Sequence, residues 1–328
     1  MMSPQPAPHP TSPGGIVALE IPLSDPVAVY ARLAHLPRPF LLDGGAADVT
    51  RARYSYVGAD PHAWVECAHG IVTVDGQPAG ADALGTLAAL LQAGRDRLGN
   101  APPPADLPPF RGGAVGFLGY ELGGQLEALP APRAEGVALP DMAVGFYDRI
   151  VAIDHAAGRA WVLCLAGPDA PERVREWRDL LAAPAAPVAA GEGPWLAAPG
   201  WRAGWSRESH EAAVARTVDY IAAGDIYQAN ITQRFLGTLA AGVAPLDLYL
   251  RLRARAAAPF SALLDLGPKG GTPAPWCPCR PNASWRLTRR GGWRRGPLRA
   301  RDRAIPIPPG TPRWRRNCWP RPRTGRKT

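Results

Sequence analysis

Alternating hydrophobic and polar positions divide residues 16–266 into short strands and helices. Short, largely apolar runs bounded by turn residues, and a period of two over residues 227–235, predict strands, which cover residues 16–21, 40–43, 54–57, 64–67, 71–74, 143–153, 159–165, 227–235 and 260–266. Apolar residues at helical spacing predict helices, which cover residues 24–36, 81–98, 171–181, 206–224 and 246–255. Turn residues predict one hairpin at His69-Gly70 and another around residues 156–158.

The helix that starts near residue 206 has well-defined ends in the sequence. Ser206 is a favourable N-cap, and Gly224 suits the position after the last turn. Beyond Gly224 the pattern changes to period two, which predicts a strand with one polar face. Two interpretations of that face stay open, the lining of a ligand cavity and a solvated surface; its residues are Gln228, Asn230, Thr232 and Arg234.

Composition predicts five parts. Residues 1–14 are rich in Pro and Ser, without a charged region followed by an apolar run, and we interpret them as a disordered tail rather than a signal peptide. Residues 15–181 form a first domain, residues 182–200 an Ala/Pro/Gly-rich linker, and residues 201–267 the beginning of a second domain. Residues 268–328 form a basic tail. No run approaches 18 apolar residues, so we expect no membrane span.

The basic tail differs from the rest of the chain in composition. Residues 268–328 contain 17 Lys and Arg, one acidic residue, 12 Pro and five Trp, but only four Leu or Ile and no Val or Phe. The chain before residue 268 has a net charge of −7, and the tail contributes +16. A segment with so little aliphatic content cannot bury enough apolar surface to offset its chain entropy, which predicts disorder.

Two origins of this tail compete. Lys, Arg and aromatic residues are typical of nucleic-acid-binding segments, whereas Arg, Pro, Gly, Ala and Trp also result when a G/C-rich coding sequence is translated out of frame. We chose synonymous codons freely and read the last base of each codon with the first two bases of the next. This single shift of frame converts three segments of the tail, in chain order, into short amino-acid sequences, here called words, that contain apolar and acidic residues. The words are Ser-Pro-Glu-Arg-Phe within residues 275–288, Pro-Ile-(Lys or Ala)-Gly-Thr within 295–306 and Lys-Asp-Arg-Ala-Glu-Asn within 313–328. This result favours a frame change after Gly267.

Candidate catalytic chemistry is sparse before residue 268. No Ser/His/Asp set or carboxylate pair has a useful spacing, and Cys67 and Cys164 are too few for a disulfide scaffold, which favours a reducing cytoplasm. The Gly-rich run 112–119 lacks the patterns of phosphate-binding loops. We expect it to be a glycine-kinked strand that another backbone approaches closely.

The chain resembles the chorismate-utilising enzymes of the anthranilate synthase component I family. The shifted words of the tail are similar to motifs of that family, and so are in-frame segments before residue 268. These segments are RYSYVG at 53–58, FRGGAVGFLGYEL at 110–122, DMAVGFYD at 141–148, GDIYQANITQRF at 224–235 and APFSA at 258–262. The resemblance implies an α+β fold of antiparallel sheets flanked by helices, with the second domain incomplete. It is closest to the aminodeoxychorismate synthase branch of para-aminobenzoate and folate synthesis, and the anthranilate branch is the alternative.

The resemblance also implies a ligand pocket for tryptophan or a similar molecule. An aromatic residue and a proline would enclose the indole, while hydroxyls and a carboxylate would meet the amino-acid end. The matching residues are Leu42, Asp43, Tyr54, Ser55, Pro259, Phe260 and Ser261. Feedback-inhibited members have Leu-Leu-Glu-Ser where this chain has Asp43 and Gly44 after two leucines. The difference removes a hydroxyl, which argues against tight inhibition and favours the aminodeoxychorismate branch. Ordinary core packing of these residues is the alternative.

The reaction implied by the resemblance is the amination of chorismate. In this family Mg²⁺, held by glutamates, neutralises the chorismate carboxylate, and a glutamine amidotransferase, component II, supplies ammonia. The resemblance also implies that the lysine of the Pro-Ile-Lys-Gly-Thr word attacks the ring as a nucleophile. That lysine and the metal-binding glutamates would lie beyond the in-frame part. We therefore expect no catalytic residue and no metal ligand in this chain, and no turnover by it alone. A nucleic-acid-binding protein that uses the basic tail is the alternative from another class.

Overall fold

The computed structural model describes residues 15–44, 52–98, 106–128, 139–183, 188, 191, 193–255, 258–269, 272–276, 285–287 and 293–295, with the backbone alone at residue 98 and from residue 268 onwards. Five α-helices and one 3₁₀ helix (Tyr120–Gln125) lie in these residues. The α-helices are α1 (Pro26–Leu33), α2 (Ala83–Leu98), α3 (Ala170–Ala182), α4 (Arg207–Ala223) and α5 (Pro245–Arg255).

The same residues contain sixteen strands. They are β1 (Ile16–Ile21), β2 (Phe40–Asp43), β3 (Tyr54–Gly58), β4 (Ala63–Ala68), β5 (Ile71–Val74), β6 (Gln77–Gly80), β7 (Gly113–Leu118), β8 (Met142–Tyr147), β9 (Arg149–Asp154), β10 (Arg159–Leu165), β11 (Arg202–Ala203), β12 (Phe235–Leu236), β13 (Ser261–Lys269), β14 (Thr272–Trp276), β15 (Trp285–Leu287) and β16 (Trp293–Arg295).

Two antiparallel sheets and their helices form four layers. The large sheet has the strand order β1-β10-β9-β3-β2-β13-β14, and the small sheet has the order β6-β5-β4-β8-β7. One face of the large sheet packs against α1, α3 and α5 through residues such as Leu41, Val57 and Trp177. Its other face packs against the small sheet, around Phe40 and Tyr147. The far face of the small sheet contacts α2. The predicted α+β fold of antiparallel sheets flanked by helices is confirmed.

The predicted single strand over residues 143–153 is wrong, because the chain changes sheets at Asp148. β8 belongs to the small sheet and β9 to the large one. Residues 142–153 are apolar except for Asp148 and Arg149, and this charged pair lies where the chain changes sheets. Arg173 of α3 donates two hydrogen bonds to the Asp148 carboxylate, at 2.8 and 2.9 Å, and fixes this crossing. Burial would raise the pKa of Asp148, but these bonds and the charge of Arg173 lower it.

The predicted glycine-kinked strand is β7, and another backbone does approach it closely. A Cβ atom on Gly116 would lie 2.0 Å from the carbonyl oxygen of Ala143 in β8. A Cβ atom on Gly119 would lie 2.8 Å from the carbonyl oxygen of Asp141. Glycine at these positions therefore permits β7 and β8 to pair.

The segment after α4 departs from the prediction. The predicted strand over residues 227–235 is wrong, because only Phe235 and Leu236 form a strand, paired with β11. A strand requires a neighbour for its backbone groups, and this segment has one only at its end. α4 itself has the predicted ends: Ser206 accepts a hydrogen bond from the Ser209 amide, and Gly224 has φ 85°. In α1 the N-cap is Asp25, whose side chain accepts a hydrogen bond from the Val27 amide.

β13 lies between β2 and β14 in the large sheet. β13 pairs with β2, and Ser261 lies opposite Asp43. The strand predicted at residues 260–266, as part of an incomplete second domain, instead joins the large sheet as β13. The exposed edge of β2 offers unpaired backbone groups, and β13 satisfies them. The boundaries of the predicted domains stay predictions.

The chain forms two compact units, Met1–Pro281 and Asn282–Thr328. In the first unit β14 continues the large sheet beyond β13. In the second unit β15 and β16 form an antiparallel pair, with Trp285 opposite Arg295. These strands differ from the disorder expected for residues 268–328. The rest of that segment and residues 1–14 lie outside the described residues. Within the described residues no helix is long and apolar enough to cross a membrane.

Candidate functional site

A buried carboxylate lies at the end of β2, between the large sheet and α5. Asp43 is 2% exposed. Its Oδ2 accepts a hydrogen bond from the Tyr249 hydroxyl at 2.8 Å and another from the Arg253 Nε at 2.7 Å. Tyr249 and Arg253 are four residues apart in α5 and therefore lie on one face of that helix. α5 thus supplies both a neutral and a charged partner to the carboxylate.

Ser55 of β3 extends this polar cluster across the sheet. Its Oγ lies 3.3 Å from Asp43 Oδ1 and 2.7 Å from His155 Nε2, and it accepts a hydrogen bond from the Gly44 amide at 2.9 Å. The hydroxyl has one proton, so when it donates to Asp43 the Nε2–H of His155 is the donor to Ser55. In a Ser-His-Asp triad the aspartate orients the histidine. Here it contacts the fully buried serine, so the cluster is not arranged for nucleophilic attack.

The segment before β13 forms one edge of the site. The Ser261 hydroxyl is buried and donates to the carbonyl oxygen of Ala258 at 2.9 Å. Phe260 has φ 63° and is 40% exposed. A bulky residue in the left-handed region carries backbone strain, and such strain concentrates at ligand-binding sites. Pro259 is half-buried beside it. This strained turn presents an aromatic ring and a proline near the polar cluster.

The structure brings together only part of the predicted tryptophan-like pocket. Asp43, Ser55 and Ser261 occupy neighbouring positions on the face of the large sheet that packs against the helices, because Ser261 is paired with Asp43. Leu42 and Tyr54 instead pack in the core between the two sheets. Successive residues of a strand point to opposite faces, so these two side chains cannot reach the cluster. Whether the site holds a ligand stays a prediction.

Gly44 accounts for one difference between this chain and the feedback-inhibited pattern. A Cβ atom at residue 44 would lie 2.5 Å from the carbonyl oxygen of Ala52 and 2.7 Å from that of Tyr54. A serine here would require the backbone to move. The amide of Gly44 also donates to Ser55 Oγ, so the backbone at this position supports the polar cluster.

The charges in the cluster are compensated. Burial alone would lower the pKa of the Arg253 guanidinium, but the carboxylates of Asp43 and Asp25 raise it above its usual value. Arg253 therefore stays ionised, and its Nη atoms reach Asp25 Oδ2 at 3.4 Å. A site with carboxylate, guanidinium and hydroxyl groups can hydrogen-bond both ends of a zwitterion, such as the ammonium and carboxylate of an amino acid.

The predicted cavity-lining residues do not come together around a cavity. Residues 225–234 form coil, and these four side chains are exposed: Gln228, Asn230, Thr232 and Arg234. A small cavity of about 10 Å³ lies elsewhere, between the two sheets, against Phe40, Trp64 and Tyr147. It has room for about one water molecule. The described side chains contain no group of three or more His, Cys, Asp or Glu that fits a metal ion.

Sequence reasoning missed three residues of the cluster. The sequence pattern places Tyr249 and Arg253 in a helix without a further role, and it assigns His155 to no site. The i, i+4 spacing of Tyr249 and Arg253 places them together, but nothing in it indicates a carboxylate more than 200 residues away. His155 follows the strand residue Asp154, whose carboxylate accepts from the amides of Ala156 and Ala157 in the hairpin turn.

Known proteins are similar to this chain in sequence. The family model described as "chorismate binding enzyme" matches residues 41–271. Aminodeoxychorismate synthase component 1 of Escherichia coli (strain K12) is 32% identical over 237 residues, which cover 72% of this chain and 50% of that protein. Anthranilate synthase component 1 of Streptomyces coelicolor is 34% identical over 262 residues, 75% of this chain and 47% of that protein.

A solved structure agrees on the fold. Anthranilate synthase component I from Streptococcus pneumoniae TIGR4 superposes with a TM-score of 0.53 at 21% identity, over 68% of this chain and 52% of that one. The chain thus spans about half the length of the relatives it matches. The family match ends at residue 271, four residues after Gly267, where the composition changes. Fold and sequence together assign this chain to the chorismate binding enzyme family.

Proposed function

We propose that this chain is part of an enzyme that aminates chorismate to 4-amino-4-deoxychorismate, for para-aminobenzoate and folate synthesis. The observation that carries the proposal is the family match over residues 41–271, together with the relative of that name in Escherichia coli. Asp43 and Gly44 in place of the Glu-Ser pair favour this branch. Anthranilate synthesis is the second candidate, because Streptomyces coelicolor anthranilate synthase component 1 is equally similar.

The proposal also includes a metal ion and a partner protein. Enzymes of this family are expected to use Mg²⁺ to neutralise the chorismate carboxylate. The described residues do not fit Mg²⁺, since no group of three acidic or histidine side chains converges, and we assign no step to the metal here. The name "component 1" of the relatives supports a second component, which we propose to be a glutamine amidotransferase that supplies ammonia. The buried thiols of Cys67 and Cys164 support a cytoplasmic location.

An activity assay tests the proposal. The chain as given should not convert chorismate when Mg²⁺ and ammonia are supplied. Restoring one base near the codon for Gly267 should recover turnover, with aminodeoxychorismate as the product. Liquid chromatography of the products separates the two branches. Anthranilate as the sole product of the repaired protein would reject the first branch in favour of the second, and no turnover at all would reject both.

The Asp43 cluster is proposed as the binding site for tryptophan or a similar amino acid. In this arrangement Asp43 accepts from the ligand ammonium, Arg253 pairs with its carboxylate, and Pro259 and Phe260 contact the ring. Leu42 and Tyr54 are no longer part of the proposal, because their side chains pack on the other face of the sheet. The proximity of carboxylate, guanidinium and hydroxyl groups and the strained Phe260 backbone support it.

Calorimetric titration with L-tryptophan tests this site. The parent chain should release or take up heat on binding. Ser55→Ala should weaken binding about tenfold, because the Ser55 hydroxyl positions the Asp43 carboxylate and the loss of that one hydrogen bond is worth about 1.4 kcal/mol. Ser209→Ala is the matched control, because Ser209 lies exposed on α4. Equal affinities of parent and Ser55→Ala would refute the site, and so would the absence of any binding by the parent. Circular dichroism checks that each variant is folded.

A further inference from the structure

His155 lies next to the polar cluster of the large sheet, on a backbone that several hydrogen bonds hold in place. Its amide donates to the carbonyl oxygen of Arg53 at 3.0 Å. The residue before it, Asp154, is 4% exposed and accepts two hydrogen bonds from the Arg53 side chain, at 2.8 and 2.5 Å. Asp154 also accepts from the amides of the turn that follows. The half-buried His155 ring therefore stands on a fixed stretch of chain.

The single proton of the Ser55 hydroxyl can go to only one of two neighbours. A hydroxyl donates once and accepts up to twice, and the Gly44 amide already donates to Ser55 Oγ at 2.9 Å. If His155 Nε2 carried no proton, Ser55 would donate to it at 2.7 Å. The oxygens of Ser55 and Asp43 would then face each other at 3.3 Å with no proton between them.

The buried carboxylate decides between the two arrangements. Asp43 is 2% exposed, so a donor withdrawn from it cannot be replaced by bulk water. A hydrogen bond to a charged group contributes about 1.5–3 kcal/mol, against about 0.5–1.5 kcal/mol for a neutral pair. The favoured state therefore has the proton of Ser55 on the side of Asp43 and a proton on His155 Nε2. In that state all three contacts of the hydroxyl are satisfied.

The two oxygens of the Asp43 carboxylate have different partners. Oδ2 accepts from Tyr249 and Arg253 of α5, whereas Ser55 faces Oδ1. A change at His155 therefore reaches the carboxylate through Ser55 and Oδ1. Arg253 keeps its own carboxylate partners, Asp43 and Asp25, when the histidine is altered.

We infer that His155 is a positioning residue of the amino-acid site proposed above, and the inference rests on that site. Its Nε2–H directs the Ser55 proton to Asp43 Oδ1, which keeps the carboxylate oriented for a ligand ammonium. His155 thus acts through Ser55 and Asp43. The consequence is a selectivity: loss of the Nε2–H donor weakens ligands that carry an ammonium and spares a ligand that has only the carboxylate, which Arg253 meets.

Calorimetric titration of the full 328-residue chain with three ligands tests this selectivity. L-Tryptophan carries both charges, tryptamine only the ammonium and indole-3-propionate only the carboxylate. His155→Leu should weaken L-tryptophan and tryptamine about tenfold, and indole-3-propionate by less than about twofold, because the lost hydrogen bond acts on the ammonium acceptor. His155→Gln should bind all three as the parent does, because a glutamine amide can donate in place of Nε2–H. His35→Leu, at an exposed histidine in the turn after α1, is the matched control.

Nitrogen NMR of isotope-labelled histidine gives a second measurement, without any ligand. At about pH 8, where a free imidazole is neutral, the His155 ring should be the Nε2–H tautomer. The spectrum of His155→Gln identifies the His155 signals by their loss. This measurement decides the inference if circular dichroism shows that His155→Leu has not folded.

Several results would overturn the inference. They are an Nδ1–H tautomer of His155, equal affinities of the parent and His155→Leu for L-tryptophan, and a loss in His155→Gln as large as that in His155→Leu. Equal weakening of all three ligands by His155→Leu would also overturn it, because it would show a general disturbance of the site. A parent chain that binds none of the ligands would reject the amino-acid site itself, and the role of His155 with it. Chorismate is absent throughout, so these outcomes are distinct from failure of the proposed amination.

Discussion

The hydrogen bond from Tyr249 to Asp43 should contribute measurably to the stability of the first unit. Tyr249→Phe removes one hydroxyl and keeps the ring, which is fully buried against the large sheet. The bond is 2.8 Å long, and its acceptor is a carboxylate that is 2% exposed. Hydrogen bonds to charged groups contribute about 1.5–3 kcal/mol. Arg253 still donates to the same oxygen, so the carboxylate keeps a partner and the lower end of that range, about 1.5 kcal/mol, is expected.

Urea unfolding, followed by circular dichroism and tryptophan fluorescence, measures this loss. With a slope of about 3 kcal/mol per molar urea, the midpoint should fall by about 0.5 M while the slope stays unchanged. The matched control is Tyr227→Phe, because Tyr227 is 92% exposed and its change should remain within about 0.5 kcal/mol. A double-mutant cycle with Asp43→Asn isolates the pairwise contribution.

Two outcomes would refute the reasoning. The first is a midpoint for Tyr249→Phe that equals that of the parent, since it would show that the buried carboxylate gains nothing from the hydroxyl. The second is full additivity of Tyr249→Phe and Asp43→Asn, which would mean that any loss comes from repacking of the ring rather than from the hydrogen bond.

Three further outcomes are expected. Gly116→Ala should destabilise the chain by about 1–3 kcal/mol in urea unfolding, because its Cβ would overlap a backbone oxygen; Gly124→Ala, with nothing within 4 Å, should change little. Burial would raise the pKa of Asp154, but the hydrogen bond from Arg53 lowers it. The stability from this pair is therefore present above about pH 4 and lost as pH falls through the lowered pKa, and Arg53→Met should flatten the acid limb of the unfolding free energy measured against pH. Finally, the chain should bind single-stranded DNA weakly, regardless of sequence, and lose it between about 50 and 200 mM salt; fluorescence anisotropy should show no binding after deletion of residues 268–328, and salt-resistant, sequence-specific binding would contradict this.

Local elements of the fold could be predicted because their signals are local. Residues 16–21 and 40–43 are short, largely apolar runs and form β1 and β2 with the predicted bounds. Ser206 and Gly224 define the ends of α4 through their own backbone preferences. The Gly-rich run lacks a phosphate-loop pattern, which favoured a strand that another backbone approaches closely. β7 confirms this expectation, because the backbone of β8 lies close to Gly116.

Long-range arrangement could not be predicted in the same way. The charged pair Asp148-Arg149 interrupts the apolar run of residues 142–153, but such an interruption does not specify that the chain leaves one sheet and enters another. The period-two pattern of residues 227–235 favoured a strand, but a strand also depends on a partner that pattern cannot specify. Resemblance located Asp43, Ser55 and Ser261, whereas Tyr249 and Arg253 needed the packing of α5 on the sheet.

The pairing of β13 with β2 has a consequence for synthesis of the protein. Ser261 lies opposite Asp43. The ribosome therefore has to add more than 200 residues after β2 before β13, the second neighbour of β2 in the sheet, is synthesised. At about 5–20 residues per second this interval lasts about 10–45 s. During this interval one edge of β2 has no partner strand, and Leu41 is not yet covered by α5. Other chains can pair with such an open edge. The nascent chain should therefore depend on chaperones until the codon for Leu264 has been translated.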